Sequence, residues 1–468
     1  MQAKKLYFFA ESRPVSCQQY AGVYGELQVL ARSFQRPLYS ISSDGRAFWF
    51  RVSGFLILEA GIAVIFPKGY RELVPPDRAG QTAAGARLFR TLWHYRKRKP
   101  EAKEWERQAL QASGKHGRSN CIDEAIYILH DFIQNGYLQR RRMRISQNIT
   151  GRVLWPQTIH KTVPLVSHRQ VVYHEPYMKS SNPVYSDMVQ KIHRYVVAEV
   201  HRDWGWVTGI TAAVQADAEP PCSREMALRV LTDEIRQTYL QRELDLFKVM
   251  RRYLQQRGSN ERQEQQGFLL TPDFQMIWQD MCAAVLGSCY DELHGALFRA
   301  PVFERNHAAA FLAGLAPEFK PQMPDLLCLR GNMLHVLDAK YYDYRHTFPS
   351  LPDMVKQYFY RYSLQERLAA LQEADKPPDG MALAEWQYYK KLCVGKNMLL
   401  LPLVRADMAA ARETAVYAGK LSLPFTPSLG QIDVWLMNLQ QMMAAYTGQT
   451  AAEDVREPFF AMAAEPRK

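Results

Sequence analysis

The chain has 468 residues, of which 47% are hydrophobic and 12% aromatic; this excludes a disordered or low-complexity protein and allows two to four domains with sizeable cores. Lys and Arg number 59 against 47 Asp and Glu, and the resulting +12 favours a polyanionic partner, nucleic acid first and an anionic membrane surface second. A run of about 18 apolar residues, the length a spanning helix needs, is nowhere present, and Met1–Pro14 breaks its short apolar run at Glu11 and Arg13, so it does not read as a signal peptide.

Residues 1–75 read as a β-rich domain. Ala47–Tyr70 alternates apolar and small residues, with Gly54, Gly61 and Pro67-Lys68-Gly69 punctuating short strands. Residues 76–215 read as a mixed, basic region for DNA or a partner. It opens with a linker-like stretch, Pro75–Ala86. A helical pattern follows, interrupted at Pro100 and carrying Arg96-Lys97-Arg98-Lys99. That basic run suits either a solvated helix end or phosphate contact. Ile122–Leu138 predicts a helix with Asp123 and Glu124 in its first turn and Gly136 at its C-cap. Arg140, Arg141, Arg142 and Arg144 come next, close to Trp155, and suit a DNA contact or a plain surface. Val184–Trp204 has helical spacing, and its His201-Arg202-Asp203 lacks the context of a kinase motif.

Residues 216–262 read as one long helix and a polar linker, Arg257–Gly267 closing it. The seven cysteines, scattered and without a CxxC pair, point to reduced thiols in a cytoplasmic protein. Residues 263–450 form the candidate catalytic domain, and residues 451–468 a loose tail. In that domain a helix from Pro272 to about Cys289 precedes Pro324–Lys340, which predicts a β-hairpin. Two apolar runs flank Gly331-Asn332, a Gly-X loop in which glycine supplies the positive φ. With that loop, Arg330 faces Met333, Asp325 falls opposite Asp338, and Lys340 shares a face with Asp338. Opposed residues lie about 4.5–5.5 Å apart and like charges there repel. A hard cation between the carboxylates, or simple solvation at the open end of a hairpin, relieves the repulsion. After the hairpin come a helix capped by Ser350 with Pro352 and Asp353 in its first turn, a buried strand at Met398–Val404, and a closing helix at Leu429–Tyr446. Lys356, Gln357 and Tyr360 lie within about one turn of each other.

These residues resemble the PD-(D/E)xK nuclease superfamily, through Pro324-Asp325, Asp338-Ala339-Lys340 and the helix carrying Gln357 and Tyr360. Within it the chain resembles LlaJI-type restriction endonucleases, relatives of McrC. The closer match rests on Pro67–Tyr70, Ile149–Ile159, Ile277–Cys282 and Leu337–Tyr342. The resemblance implies an α/β (α+β) fold: a restriction-endonuclease-like core with a mixed sheet flanked by helices, an N-terminal β-rich domain and a helical middle region. It implies a Mg²⁺-dependent endodeoxyribonuclease of bacterial anti-phage defence, Mn²⁺ also serving. Asp325 and Asp338 would be metal ligands, Lys340 would position or activate water, and Gln357 would support the site or DNA. A glutamate usually precedes the hairpin on its helix; here Gln279 takes that place as a neutral ligand, with Asp280 rotated about 100° away. DNA is the implied partner, with an McrB-like AAA+ GTPase, since the chain carries no GxxxxGK[ST] loop of its own. Cutting both strands often needs two active sites, which makes a homodimer one expected assembly. The competing reading is a DNA-binding or assembly subunit with a degenerate nuclease core.

Overall fold

The computed structural model describes residues 4–34, 36–70, 77–101, 121–139, 141–147, 152–167, 170–183, 188–208, 214, 219–256, 268–301, 319–342, 347, 349–404, 413–424 and 426–465. The chain divides into two compact units. One comprises residues 1–4 and 115–267, the other residues 5–114 and 268–468. Among the described residues no helix is long and apolar enough to cross a membrane, and the described cysteines are free thiols.

The second unit begins with β1 (Leu6–Ala10), β2 (Val15–Ser16), α1 (Ala21–Leu30), β3 (Tyr39–Ile41), β4 (Ala47–Phe50), β5 (Ser53–Ile57), β6 (Ile62–Phe66) and α2 (Arg78–Arg98). Gly54 does not separate two strands, contrary to the sequence reading. It lies inside β5 with φ +130, and a Cβ there would stand 2.0 Å from the Leu269 carbonyl oxygen, so glycine is what lets a neighbouring strand approach. The linker-like Pro75–Ala86 is mostly helix. Asp77 caps α2 by accepting the Gly80 N–H at 3.0 Å, which overrides the glycines that follow.

The first unit holds α3 (Cys121–Asn135), β7 (Arg141–Gln147), β8 (Arg152–Val153), α4 (Trp155–Lys161), β9 (Leu165–Ser167), β10 (Gln170–Val172), β11 (Tyr177–Pro183), α5 (Met188–Thr208), α6 (Arg224–Gln237) and α7 (Gln241–Gln256). Helix α3 ends at Gly136, φ +69, as its sequence requires. The single long helix expected across 224–257 is instead two, broken at Thr238–Leu240. Thr238 leaves the helical region (ψ 140), and its hydroxyl donates to Glu243 at 3.1 Å. A β-branched residue whose hydroxyl finds a local acceptor competes with helix continuation. Arg141, Arg142 and Arg144 lie on β7, paired antiparallel with β11; Arg140 and the whole 257–267 linker fall outside the described residues.

The chain returns to the second unit with β12 (Phe268–Thr271), which pairs antiparallel with β5 and completes the sheet β1-β6-β5-β12. There follow α8 (Phe274–Leu286), α9 (Tyr290–Leu297), β13 (Leu326–Arg330), β14 (Met333–Ala339), α10 (Leu351–Glu373), α11 (Leu383–Tyr389), β15 (Cys393–Leu403), β16 (Ala415–Ser422), β17 (Gln431–Asn438), α12 (Leu439–Tyr446) and α13 (Glu453–Ala464). The fold is thus mixed α and β, as expected. The five-stranded sheet runs β13-β14-β15-β17-β16, with three parallel central strands and an antiparallel strand at each edge.

Two sequence readings fail here for one reason. Leu429–Tyr446 is strand β17 and then α12, not a single helix, and the tail forms α13. Ile432, Val434 and Leu436 pack with Leu399, Leu401 and Tyr358, while Trp435 meets Phe459 of α13 edge-on at 5.4 Å. A strand covered on both faces reads as a continuous apolar run and loses its period of two. Leu334 and Val336 of β14 pack on Leu364, Leu368 and Leu371, whereas His335 faces the Phe460 ring 5.4 Å away. Helices therefore cover the hairpin on both sides, and each fully buried leucine contributes about 1.5–3 kcal/mol.

Candidate active site

The hairpin register places the site. Leu326 pairs with Leu337 and Arg330 with Met333, and Gly331 has φ +57 in the turn. One step further along the same register, Asp325 faces Asp338, where the strands open. The Ala339 N–H does not continue the ladder but donates to Asp325 Oδ2 at 3.0 Å. The same oxygen accepts the Gln279 side-chain N–H at 3.0 Å. Helix α8 holds that amide in place through Trp278, whose indole N–H donates to the Leu400 carbonyl at 3.4 Å.

Asp338 is buried, 5% exposed. Burial, and then the neighbouring Asp325, push its carboxyl up to about 7, against the pull of Lys340. Two ionised carboxylates about 4 Å apart repel by about 4 kcal/mol at an effective dielectric near 20, so the pair favours a proton or a cation beside it. Lys340 Nζ lies 3.1 Å from Asp338 Oδ1 and 3.1 Å from its Oδ2. Burial pulls this ammonium's pKa down, but Asp338 and Asp325 outweigh it and the net shift is upward.

A residue read from sequence only as part of a helix start also reaches the site. Asp353 caps α10 in a reciprocal box with Ser350. Its Oδ1 lies 3.9 Å from Lys340 Nζ, and its Oδ2 accepts the Tyr342 hydroxyl at 3.0 Å. The capping pattern was legible; the loop that carries it back to Lys340 left no local signal. Tyr360 stands near enough for Asp325 and Asp338 to add to the upward shift that burial gives its phenol.

One expected participant points elsewhere. Gln357 is 1% exposed and donates to Asn397 Oδ1 at 2.6 Å and to the Val336 and Met398 carbonyls at 3.3 Å. It fills the irregularity between β14 and β15 instead of facing the carboxylates, while Lys356 turns to solvent. Asp280 does not rotate in to replace the missing glutamate. It accepts the Tyr446 hydroxyl and the Arg98 Nε–H, the latter at 3.2 Å. The structure thus joins Asp325, Asp338, Lys340 and Gln279, and leaves Gln357 beneath them.

Among the described residues no cluster of three or more His, Cys, Asp or Glu side chains is assembled for a metal. The site offers two carboxylates and one amide oxygen. That set fits Mg²⁺, which binds through one or two carboxylates and fills its remaining positions with water and substrate phosphate.

The profile of the family described as LlaJI restriction endonuclease matches residues 54–409, about three-quarters of the chain and the whole hairpin with it. The chain belongs to the LlaJI restriction endonuclease family. Among curated proteins none matches it. One similar solved structure is a refined half-complex from a tetradecameric assembly of Thermococcus gammatolerans McrB AAA+ hexamers with bound McrC. There the identity is 12% and the TM-score 0.40, over 98% of this chain and 100% of that one. Membership makes this LlaJI-family chain a nuclease-type component of a restriction system.

Proposed function

We propose that this LlaJI-family protein is a Mg²⁺- or Mn²⁺-dependent DNA endonuclease with the PD-(D/E)xK arrangement, Asp325 and Asp338 being the metal ligands. The observation that carries the proposal is the directly opposed carboxylate pair, its member Asp338 buried and an ammonium 3.1 Å from that member. Bound there, the ion would supply Lewis-acid polarisation of a phosphodiester and ease deprotonation of a water. The protein's own groups do the rest. The Gln279 and Ala339 N–H groups both bind Oδ2 of Asp325 and so fix its carboxylate. Lys340, kept charged by Asp338 and Asp353, lies where it can orient the attacking water and offset phosphate charge. The net charge of +12 supports a nucleic-acid substrate. With no phosphate-binding loop in the chain, any nucleotide-driven step falls to an AAA+ GTPase partner.

The test is cleavage of double-stranded DNA by the purified protein, with and without such a partner. Activity should require Mg²⁺ or Mn²⁺ and fall at least about 10³-fold in both Asp338→Ala and Lys340→Ala. Undiminished cutting by the two variants refutes the assignment. Gln279 supports a second reading, a DNA-binding or assembly subunit whose core has lost a carboxylate. It predicts DNA binding without cleavage under either metal, and robust wild-type cleavage ends it. RNA, assayed side by side, shows whether the substrate is DNA alone.

A further inference from the structure

The residue after Lys340 is tied to the N-terminal sheet. The Tyr341 hydroxyl donates to Glu11 Oε2 at 2.7 Å and accepts the Lys68 backbone N–H at 2.6 Å. Glu11 Oε2 also accepts the Ser53 hydroxyl at 2.8 Å, and Glu11 Oε1 lies 3.7 Å from Lys68 Nζ. The Lys68 ammonium sits 5.0 Å from the centre of the Tyr341 ring. Glu11, Ser53 and Tyr341 are all buried. Three separate pieces of the N-terminal sheet thus converge on one phenol: the end of β1, the start of β5 and the turn after β6. This also gives Pro67–Tyr70 a physical role, because its Lys68 supplies both a backbone donor and a cation, while Tyr70 stacks on Phe66 4.9 Å away.

Lys340 stands between two anchors. On one side the Ala339 N–H is bonded to Asp325, and the Lys340 N–H itself reaches the Leu400 carbonyl at 3.0 Å. On the other side is Tyr341, one peptide unit away. A chain leaving the end of a strand has few ladder bonds to hold it, so the direction of the Lys340 side chain depends on both neighbours. We propose that Tyr341 is a positioning residue, clamped by Glu11 and Lys68, and that through it the N-terminal β-sheet is a working part of the nuclease site and not a separable recognition module. The proposal rests on the nuclease reading above.

Tyr341→Phe keeps the ring and removes both hydroxyl bonds. Ile65→Val trims the buried core of the same N-terminal sheet without touching any bond to the phenol, and so reports structural loss alone. The rate at which an amine-acylating reagent labels Lys340, read by peptide mass spectrometry on folded protein, measures the anchoring without reference to DNA. It should rise about threefold or more in Tyr341→Phe and stay at the wild-type value in Ile65→Val. In parallel, kcat for DNA cleavage should fall about tenfold in Tyr341→Phe, with KM for DNA and the affinity for Mn²⁺ within about twofold of wild type. Lys68→Met, at a partly exposed side chain, loosens the same clamp and should raise labelling by a smaller factor. Unchanged labelling in both folded clamp variants, Tyr341→Phe and Lys68→Met, overturns the proposal, as does a loss of kcat in Ile65→Val equal to that in Tyr341→Phe. A wild-type protein that cuts no DNA overturns the nuclease reading instead, and the labelling then decides the anchoring by itself.

Discussion

Two hairpins in this molecule start from similar sequence and end differently. The β13–β14 pair buries Leu326, Leu327, Cys328, Leu334, Val336 and Leu337 completely. The β9–β10 pair leaves Leu165 60%, Val166 71%, Val171 58% and Val172 54% exposed. Both are short, apolar and antiparallel. The first gains a parallel neighbour in β15 and helices on its two faces; the second is a sheet of two strands. An isolated two-stranded ribbon is marginal in water, and its register is weakly specified. Apolar content therefore does not decide which hairpin can hold two acidic groups at a fixed separation. Neighbouring strands and helices do, by making a one-residue slip prohibitively costly.

The sharpest way to break this comparison is a matched pair of truncations. Leu327→Ala should cost about 3 kcal/mol, because it opens a cavity among Val336, Leu364 and Leu368. Val166→Ala should fall within about 0.5 kcal/mol of wild type. Denaturant titration checks both, and similar losses would mean that the exposed hairpin is covered in solution. A smaller effect links two histidines, one in each unit, His193 buried and His335 half-buried. His193 accepts the Leu138 N–H and His335 the Lys396 N–H, and burial holds each imidazole down at about 4. The unfolded chain takes up those protons near the ordinary 6.5. The stability each lends is therefore complete above that pH and lost as the pH falls towards 4. At pH 5 each should have given up on the order of 1–2 kcal/mol, and His193→Gln should flatten the dependence in the first unit. Denaturant midpoints measured between pH 7 and 5 test this, and midpoints independent of pH would contradict it. Smallest is the metal site itself. Gln279→Glu adds a carboxylate beside Asp325 and should tighten Mn²⁺ binding about fivefold by calorimetry. An unchanged affinity would make Gln279 purely the hydrogen-bond donor that holds Asp325.

Much of the site was legible because a hairpin with a two-residue turn fixes its own register. Once Gly331-Asn332 is the loop, Asp325 must face Asp338 and Lys340 must follow on the same face, and the structure shows that geometry. The capping residues Asp77 and Ser350 each act through a bond three residues away; Ser350 is legible as a cap, while Asp77 is hidden inside a linker-like stretch with two glycines. The remaining arrangements depended on contacts distant in sequence. Gln357 shares a helix with Tyr360, yet only the irregularity between β14 and β15 decides that it turns inward. Strand β17 hides its period because both faces are covered, and α13 looks like a tail until Trp435 and Phe459 meet. Sequence by itself determined the local frame that holds the two carboxylates and the lysine, since turn geometry and alternation are properties of neighbouring residues. Tertiary structure alone decided which polar groups serve that frame, binding Asp280 to Tyr446 and Arg98 and joining Glu11 to Tyr341 across 330 positions, because burial and partnership are set by whichever segments the fold brings together.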